Sequence, residues 1–256
     1  MNILLLHLSI LPYGASPDAD LQERERVAQA SWDQHTGLKL NEIPEIRMRD
    51  YELTPEDFDR LGPDGLPYVR DVFDLGCLQY RTDVVAYINA DCGLTTKAPE
   101  RIAAGVKHGG GVTVSPRRCF KPDPGKTYES VLEHPADGGF DLMAFTPDWW
   151  RAHRLAMPNM VIGREAWDTV FRELAEESAD ELSVVPGDFC MTPEQWSRSL
   201  AYTDDVLYHA PHLSPWQRER TRSESQLYNR SLAKAFFAHR GMRRILQAFE
   251  EQEKQP

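Results

Sequence analysis

Residues 83–88, Asp-Val-Val-Ala-Tyr-Ile, constrain the fold of this 256-residue chain more than any other stretch. Val84, Val85, Tyr87 and Ile88 are strand formers, and the run stops abruptly at Asn89-Ala90-Asp91. Residues 3–10, Ile-Leu-Leu-Leu-His-Leu-Ser-Ile, form a second short run, apolar on both faces and ended by Pro12 and Gly14. Strands apolar on both faces need cover above and below, as in a parallel sheet flanked by helices. Helical patterns occur where that cover is required. Residues 19–33 can be capped by Asp18 or Asp20 and carry Leu21, Val27, Ala28 and Ala30, with Trp32 near the end. Residues 66–80 look helical, and so do 98–108, which close on Gly109-Gly110-Gly111. Residues 112–115 read as a further strand ended by Pro116. Alternation of strands and helices over the first 115 residues argues for an α/β layer with parallel strands.

Between these elements, a strand is expected near 45–48. Residues 51–65 read as a polar, loop-rich segment with a short helix after Thr54-Pro55-Glu56-Asp57. The second half is mixed. Residues 138–145 read as a strand, 164–179 as an amphipathic helix, 203–209 as a strand and 223–253 as a long helix. In that last helix Leu227, Leu232, Ala235, Phe236, Ile245 and Phe249 read as intramolecular core. The expected division is one domain over 1–222, with a nucleotide-fold-like first half over 1–118 and a mixed second half over 119–222, followed by a C-terminal helix over 223–256.

Twenty-nine Lys and Arg against 40 Asp and Glu leave a net charge of −11. Such a chain repels phosphate backbones at long range, which argues against duplex nucleic acid and leaves room for a local pocket that binds a small phosphate ligand. No stretch approaches the ~20 apolar residues of a membrane span. Residues 1–11 lack a basic leading region and read as a buried strand rather than a signal peptide. Cys77, Cys92, Cys119 and Cys190 form no CxxC pair, which fits reduced thiols in a cytoplasmic protein.

Four places could carry chemistry. Asn89-Ala90-Asp91 stands at the carboxyl end of the clearest strand, where open α/β sheets bind ligands; a carboxylate there can hold a divalent cation, and an Asx turn is the bland alternative. Asp141 follows Gly138-Gly139, and Arg164, Glu165 and Asp168 follow Gly163. Glu165 and Asp168 would share one helix face, near an N-terminus that favours acids or as a base for an attacking hydroxyl. Tyr208-His209-Ala210-Pro211-His212, with Trp216 and Asn229, offers imidazoles for a divalent metal or structural histidines. Ser115-Pro116-Arg117-Arg118 with Lys121 could hold phosphate oxygens at a strand end, or form a solvated loop.

In order and spacing these segments resemble a known family. DVVAYINADCGL resembles the strand-plus-aspartate motif of GT-A-type glycosyltransferases, the nucleotide-diphospho-sugar transferase-like group. GFDLMAF followed by NMVIGREAWD resembles the acceptor-side segment of that group, YHAPHLSPW with the later YN its histidine segment, and ERVAQASW the helix after its first strand. The resemblance spans roughly residues 3–232. It implies a GT-A-like α/β/α sandwich with a mixed central sheet and a helical C-terminal segment. The implied activity is transfer of a sugar from a UDP- or GDP-sugar to an acceptor hydroxyl, with manganese or magnesium. Asp91 would hold the metal, with His209 completing the site and His212 as its rival. Asn89 would support the donor ribose or a metal-bound water, Arg117 would face the diphosphate, and Asp168 or Asp141 would be the base. Asn89 stands where the first acid of the usual pair stands, which lowers the negative charge of the site. Two other readings are a non-catalytic binding protein that keeps the fold and a transferase that glycosylates modified bases in DNA.

Overall fold

The computed structural model describes residues 1–8, 25, 28–33, 46–63, 65–79, 82–90, 92–94, 97–120, 136–163, 166–178, 190–193 and 224–253. For 116–120, 136–139, 190–193 and 243–253 the backbone alone is described. The strands among them are β1 (Asn2–Leu8), β2 (Arg47–Leu53), β3 (Val84–Asn89), β4 (Gly93–Leu94), β5 (Val112–Phe120), β6 (Ala136–Phe145) and β7 (Cys190–Pro193). They form one sheet in the order β2-β1-β3-β6-β5-β7-β4. β1 pairs in parallel with β2 and β3, and β6 runs antiparallel to both β3 and β5. The sheet is therefore parallel on its N-terminal side and mixed beyond β3.

The period-two alternation of β1 and β3 sorts their side chains onto two faces. Leu4, Leu6, Leu8, Val85, Tyr87, Met143 and Phe145 join one core, while Ile3, Leu5, Val84, Ala86, Ile88, Leu142 and Ala144 join the other. The first face is covered by α1 (Val69–Leu78), α3 (Pro147–His153), α4 (Trp167–Ser178) and α5 (Glu224–Glu253). The second is covered by helical residues 28–33 and by α2 (Ala98–His108). The architecture is the expected α/β/α sandwich around a mixed sheet. Gly76 lets α1 lie directly on the strands: a Cβ there would stand 2.7 Å from Leu6 Cδ1 and 2.8 Å from a Val85 methyl. Phe73 ties the layer together, packing edge-on against Trp150, Trp167 and Phe171.

Several boundaries differ from expectation for physical reasons. β2 runs on to Leu53 through residues read as loop, because an edge strand buries only Met48 and Leu53 and leaves its charged residues to solvent. Thr54 and Asp57 then form a capping box on a single 3-10 turn, Pro55–Asp57. β5 does not stop at Pro116 but continues to Phe120, so Arg117 lies inside a strand and not in a loop at its end. β6 starts at Ala136, so Gly138 and Gly139 are strand residues and not a turn before Asp141. α5 extends as expected and packs on the same core through Tyr228, Leu232, Ala233 and Phe236, but Leu227 and Ala235, expected in that core, are exposed. Its Arg240 is 5% exposed, pairs with Glu173 at 3.6 Å and with Glu177, and lies over the Phe236 ring. The strand expected near 203–209 and most of the helix over 19–33 lie outside the described residues. Cys77 and Cys92 are free thiols.

Candidate functional site

β3 ends at Asn89, and the chain turns at once. The Cys92 N–H donates to the Asn89 carbonyl at 2.9 Å. Trp32 Nε1 donates to the Cys92 carbonyl at 2.9 Å, and the Leu94 N–H donates to Ser31 Oγ at 2.9 Å. The helical residues that follow β1 in the chain therefore hold the segment just beyond Asn89.

Strand register brings Asn89 to Asp141. β3 and β6 pair Tyr87 with Met143 and Ile88 with Leu142, so one further step sets position 89 opposite position 141. Asn89 Nδ2 donates to Asp141 Oδ1 at 2.5 Å. Asp141 is only 6% exposed, and a buried carboxylate needs such donors. On the other edge of β6 the ladder pairs Ser115 with Leu142 and then Pro116 with Phe140, so the register skips Asp141. Pro116 supplies the reason. It has no N–H to give the ladder, and sheets tolerate proline at bulges. The bulge turns Asp141 out of regular pairing, and bulges re-aim side chains in this way beside active sites.

Asp168 arrives from the layer above. Trp167, 4% exposed, sets its ring 5.3 Å from that of Tyr87, two residues before Asn89. That contact places the start of α4 over the end of β3. Gly163 has φ 68° and Ala166 φ 76°, so the chain passes twice through left-handed backbone before the helix begins. This corrects the expected helix start at 164: left-handed Ala166 cannot belong to a right-handed helix, which begins at Trp167. Asp168 instead occupies the first turn, where the helix dipole favours a carboxylate. Burial nevertheless pushes its carboxyl from the ordinary 3.8 up to about 6; the Asp141 charge adds to the rise, and backbone N–H groups of Thr169 and Asp168 oppose it.

Of the expected site residues, the structure joins Asn89 to Asp141 by a hydrogen bond and sets Asp168 where the Asp141 charge acts on it. Arg117 is placed within β5 by its backbone. Asp91, His209 and His212 lie outside the described residues, as do Arg164, Glu165 and Trp216. Among the described residues no group of three or more His, Cys, Asp or Glu could hold a metal ion. Asn229, expected near the histidines, is buried against the backbone of Val161. The anchoring role of Tyr87 and Trp167 was not read from the sequence. Both looked like ordinary core aromatics, and only their contact across layers singles them out.

The cluster pairs a buried, amide-held carboxylate with a half-buried one of raised proton affinity, at the carboxyl end of parallel strands. Such an arrangement can accept a proton near neutral pH. No family model matches this sequence. No curated protein matches it. Among solved structures the chain is similar to S. aureus TarS 1-349, at 12% identity and TM-score 0.35, covering 81% of this chain and 66% of that one. It is also similar to the same TarS fragment in complex with UDP-GlcNAc, at 11% identity and TM-score 0.36, covering 75% of this chain and 58% of that one. A third similar structure, from Desulfovibrio desulfuricans G20, is described as a nucleotide-diphospho-sugar transferase; identity is 10% and TM-score 0.36, with 92% of this chain and 97% of that one covered. The chain thus spans under two thirds of the TarS fragment in its UDP-GlcNAc complex. Likeness at this level leaves function to be argued from the site itself. No helix among the described residues is long and apolar enough to cross a membrane.

Proposed function

We propose that this protein transfers a sugar from a nucleoside-diphosphate donor to an acceptor hydroxyl, with Asp168 as the base. The observation that carries the reading is the hydrogen bond from Asn89 to Asp141 at the end of β3, with Asp168, at the start of α4, under the influence of the Asp141 charge. In this reading burial raises the proton affinity of Asp168, and the Asp141 charge adds to the rise. Asp168 takes the proton from the attacking hydroxyl as the bond to the anomeric carbon forms. A base with a carboxyl at about 6 is ionised at neutral pH yet binds a proton more strongly than an ordinary carboxylate. The donor would lie at the carboxyl end of β1 and β3. A divalent cation, manganese or magnesium, held by Asp91 and His209 would offset charge on the leaving diphosphate.

The test is release of UDP or GDP from a panel of nucleotide sugars, with and without manganese, by the wild type and by Asp168→Asn. One donor is expected to turn over, and the variant is expected to lose about 100-fold or more. Equal turnover by the variant would remove Asp168 from the role of base. One observation favours a second reading, a non-catalytic nucleotide-binding protein. Asn89 stands in place of an acid and spends its amide on Asp141. Such a protein would show a nucleotide-dependent rise in Tm and no release of diphosphate.

A further inference from the structure

The turn that delivers Asp168 begins at a short bridged segment. Val161 pairs with Tyr68 in an isolated antiparallel bridge, flanked by bonds from Val69 N–H to the Met160 carbonyl at 2.8 Å and from Ile162 N–H to the Pro67 carbonyl at 3.0 Å. Those bonds occupy one edge of the segment. The N–H and carbonyl of Val161 itself face the other edge, where no strand runs among the described residues. There the Asn229 side chain takes both: its Oδ1 accepts from Val161 N–H at 2.8 Å, and its Nδ2 donates to the Val161 carbonyl at 2.8 Å. Asn229 and Val161 are both fully buried. A carboxamide sets a carbonyl acceptor beside an N–H donor as a peptide unit does, so Asn229 acts as a one-residue strand supplied by a helix. The neighbouring Tyr228 hydroxyl donates to the Asn159 carbonyl at 3.0 Å, a second anchor on the same segment.

Beyond Val161 the path to Asp168 is short. Gly163 and Ala166 adopt left-handed backbone, and Trp167 is seated against Tyr87. The turn is thus pinned at one end by Asn229 and at the other by Trp167. We propose that Asn229 is a positioning residue for Asp168: by clamping the Val161 peptide from α5, it sets where left-handed Gly163 and Ala166 direct the chain into α4, and so where that carboxylate stands relative to Asp141. The proposal rests on the reading of Asp168 as the base, and it gives the C-terminal helix a function beyond covering the core.

The test compares Asn229→Ala with Ala233→Gly, which weakens the same helix one turn further on while leaving the Asn229 carboxamide in place. The Asp168 carboxyl is followed by carbon NMR titration, and diphosphate release is measured on whichever donor turns over. In Asn229→Ala the titration midpoint of Asp168 is expected to fall from about 6 toward the ordinary value of 3.8. kcat should drop about 10-fold or more, with the donor KM changed little, because a small misplacement of a reacting group costs rate more than binding. Ala233→Gly should lower Tm while leaving the midpoint where it is. If Asn229→Ala does not fold, Asn229→Ser is read by the same criterion. A folded variant whose Asp168 still titrates at the wild-type midpoint would overturn the proposal. The titration answers even if no donor turns over, so failure of the positioning role and failure of the transferase reading are told apart.

Discussion

Asn89 and Asp141 lie 52 residues apart in the chain and share a 2.5 Å hydrogen bond, amide to carboxylate, at the point where the parallel half of the sheet meets the antiparallel half. The bond exists because one strand ends in an asparagine and the next is bulged at its aspartate. It also sets the charge balance of the cluster, since the amide partners one carboxylate without adding a second charge beside Asp168.

Asp168→Asn should be more stable than the wild type at alkaline pH. The folded-state carboxyl is raised, so the folded protein binds its proton more tightly than the unfolded chain does. The wild type is therefore most stable below 3.8 as far as this group is concerned, and loses stability as pH rises through about 6. At pH 8 the ionised group costs on the order of 3 kcal/mol, which the amide removes. Urea denaturation at pH 8 and pH 5 measures it. An equal effect at both values would show that Asp168 is not raised.

Asn89→Asp should do the reverse. A second carboxylate beside Asp141 replaces a donor with a like charge in a buried place, at a cost of about 2–3 kcal/mol at pH 8 that shrinks as pH falls. If Asp91 and His209 hold a cation as proposed, added manganese should raise the Tm of this variant more than that of the wild type. A Tm equal to wild type at pH 8 without metal would mean that the Asn89–Asp141 bond contributes nothing.

Ala166 offers a backbone test. Its φ of 76° is a conformation that costs an L-residue about 1–2 kcal/mol and glycine nothing, while glycine loses about 0.5–1 kcal/mol more chain entropy on folding. Ala166→Gly should therefore gain about 0.5 kcal/mol, and Ala166→Val should lose more than about 1 kcal/mol, since branching at Cβ worsens the clash. Thermal melts of the two variants should move in opposite directions.

Cys77 should resist alkylation in the folded protein. Burial pushes its thiol up to about 12, and the Asp74 charge adds to the rise, so almost no thiolate exists at pH 8. Iodoacetamide followed by mass spectrometry should label it only after denaturant is added. Rapid labelling of the native protein would show that α1 opens at that position.

The layered sheet was legible because it rests on local chemistry. The apolar runs at 3–8 and 84–88, the helix over 98–108 and its glycine stop carry their own periodicity and punctuation, and they fold as they read. Asn89, Asp141 and Asp168 stood out for the same reason, as polar groups at the edges of apolar runs. What tertiary structure alone decided is how these residues meet. The register of β3 on β6 sets Asn89 against Asp141, and Pro116, which reads as a strand end, becomes a bulge because neighbouring strands carry β5 past it. The start of α4 was misread because a left-handed alanine has no signature in composition; it is held by the packing of Trp167 on Tyr87 and by Asn229 on Val161. Periodicity fixes which way a residue faces within its own element, whereas contacts between elements depend on register and packing that no single segment encodes.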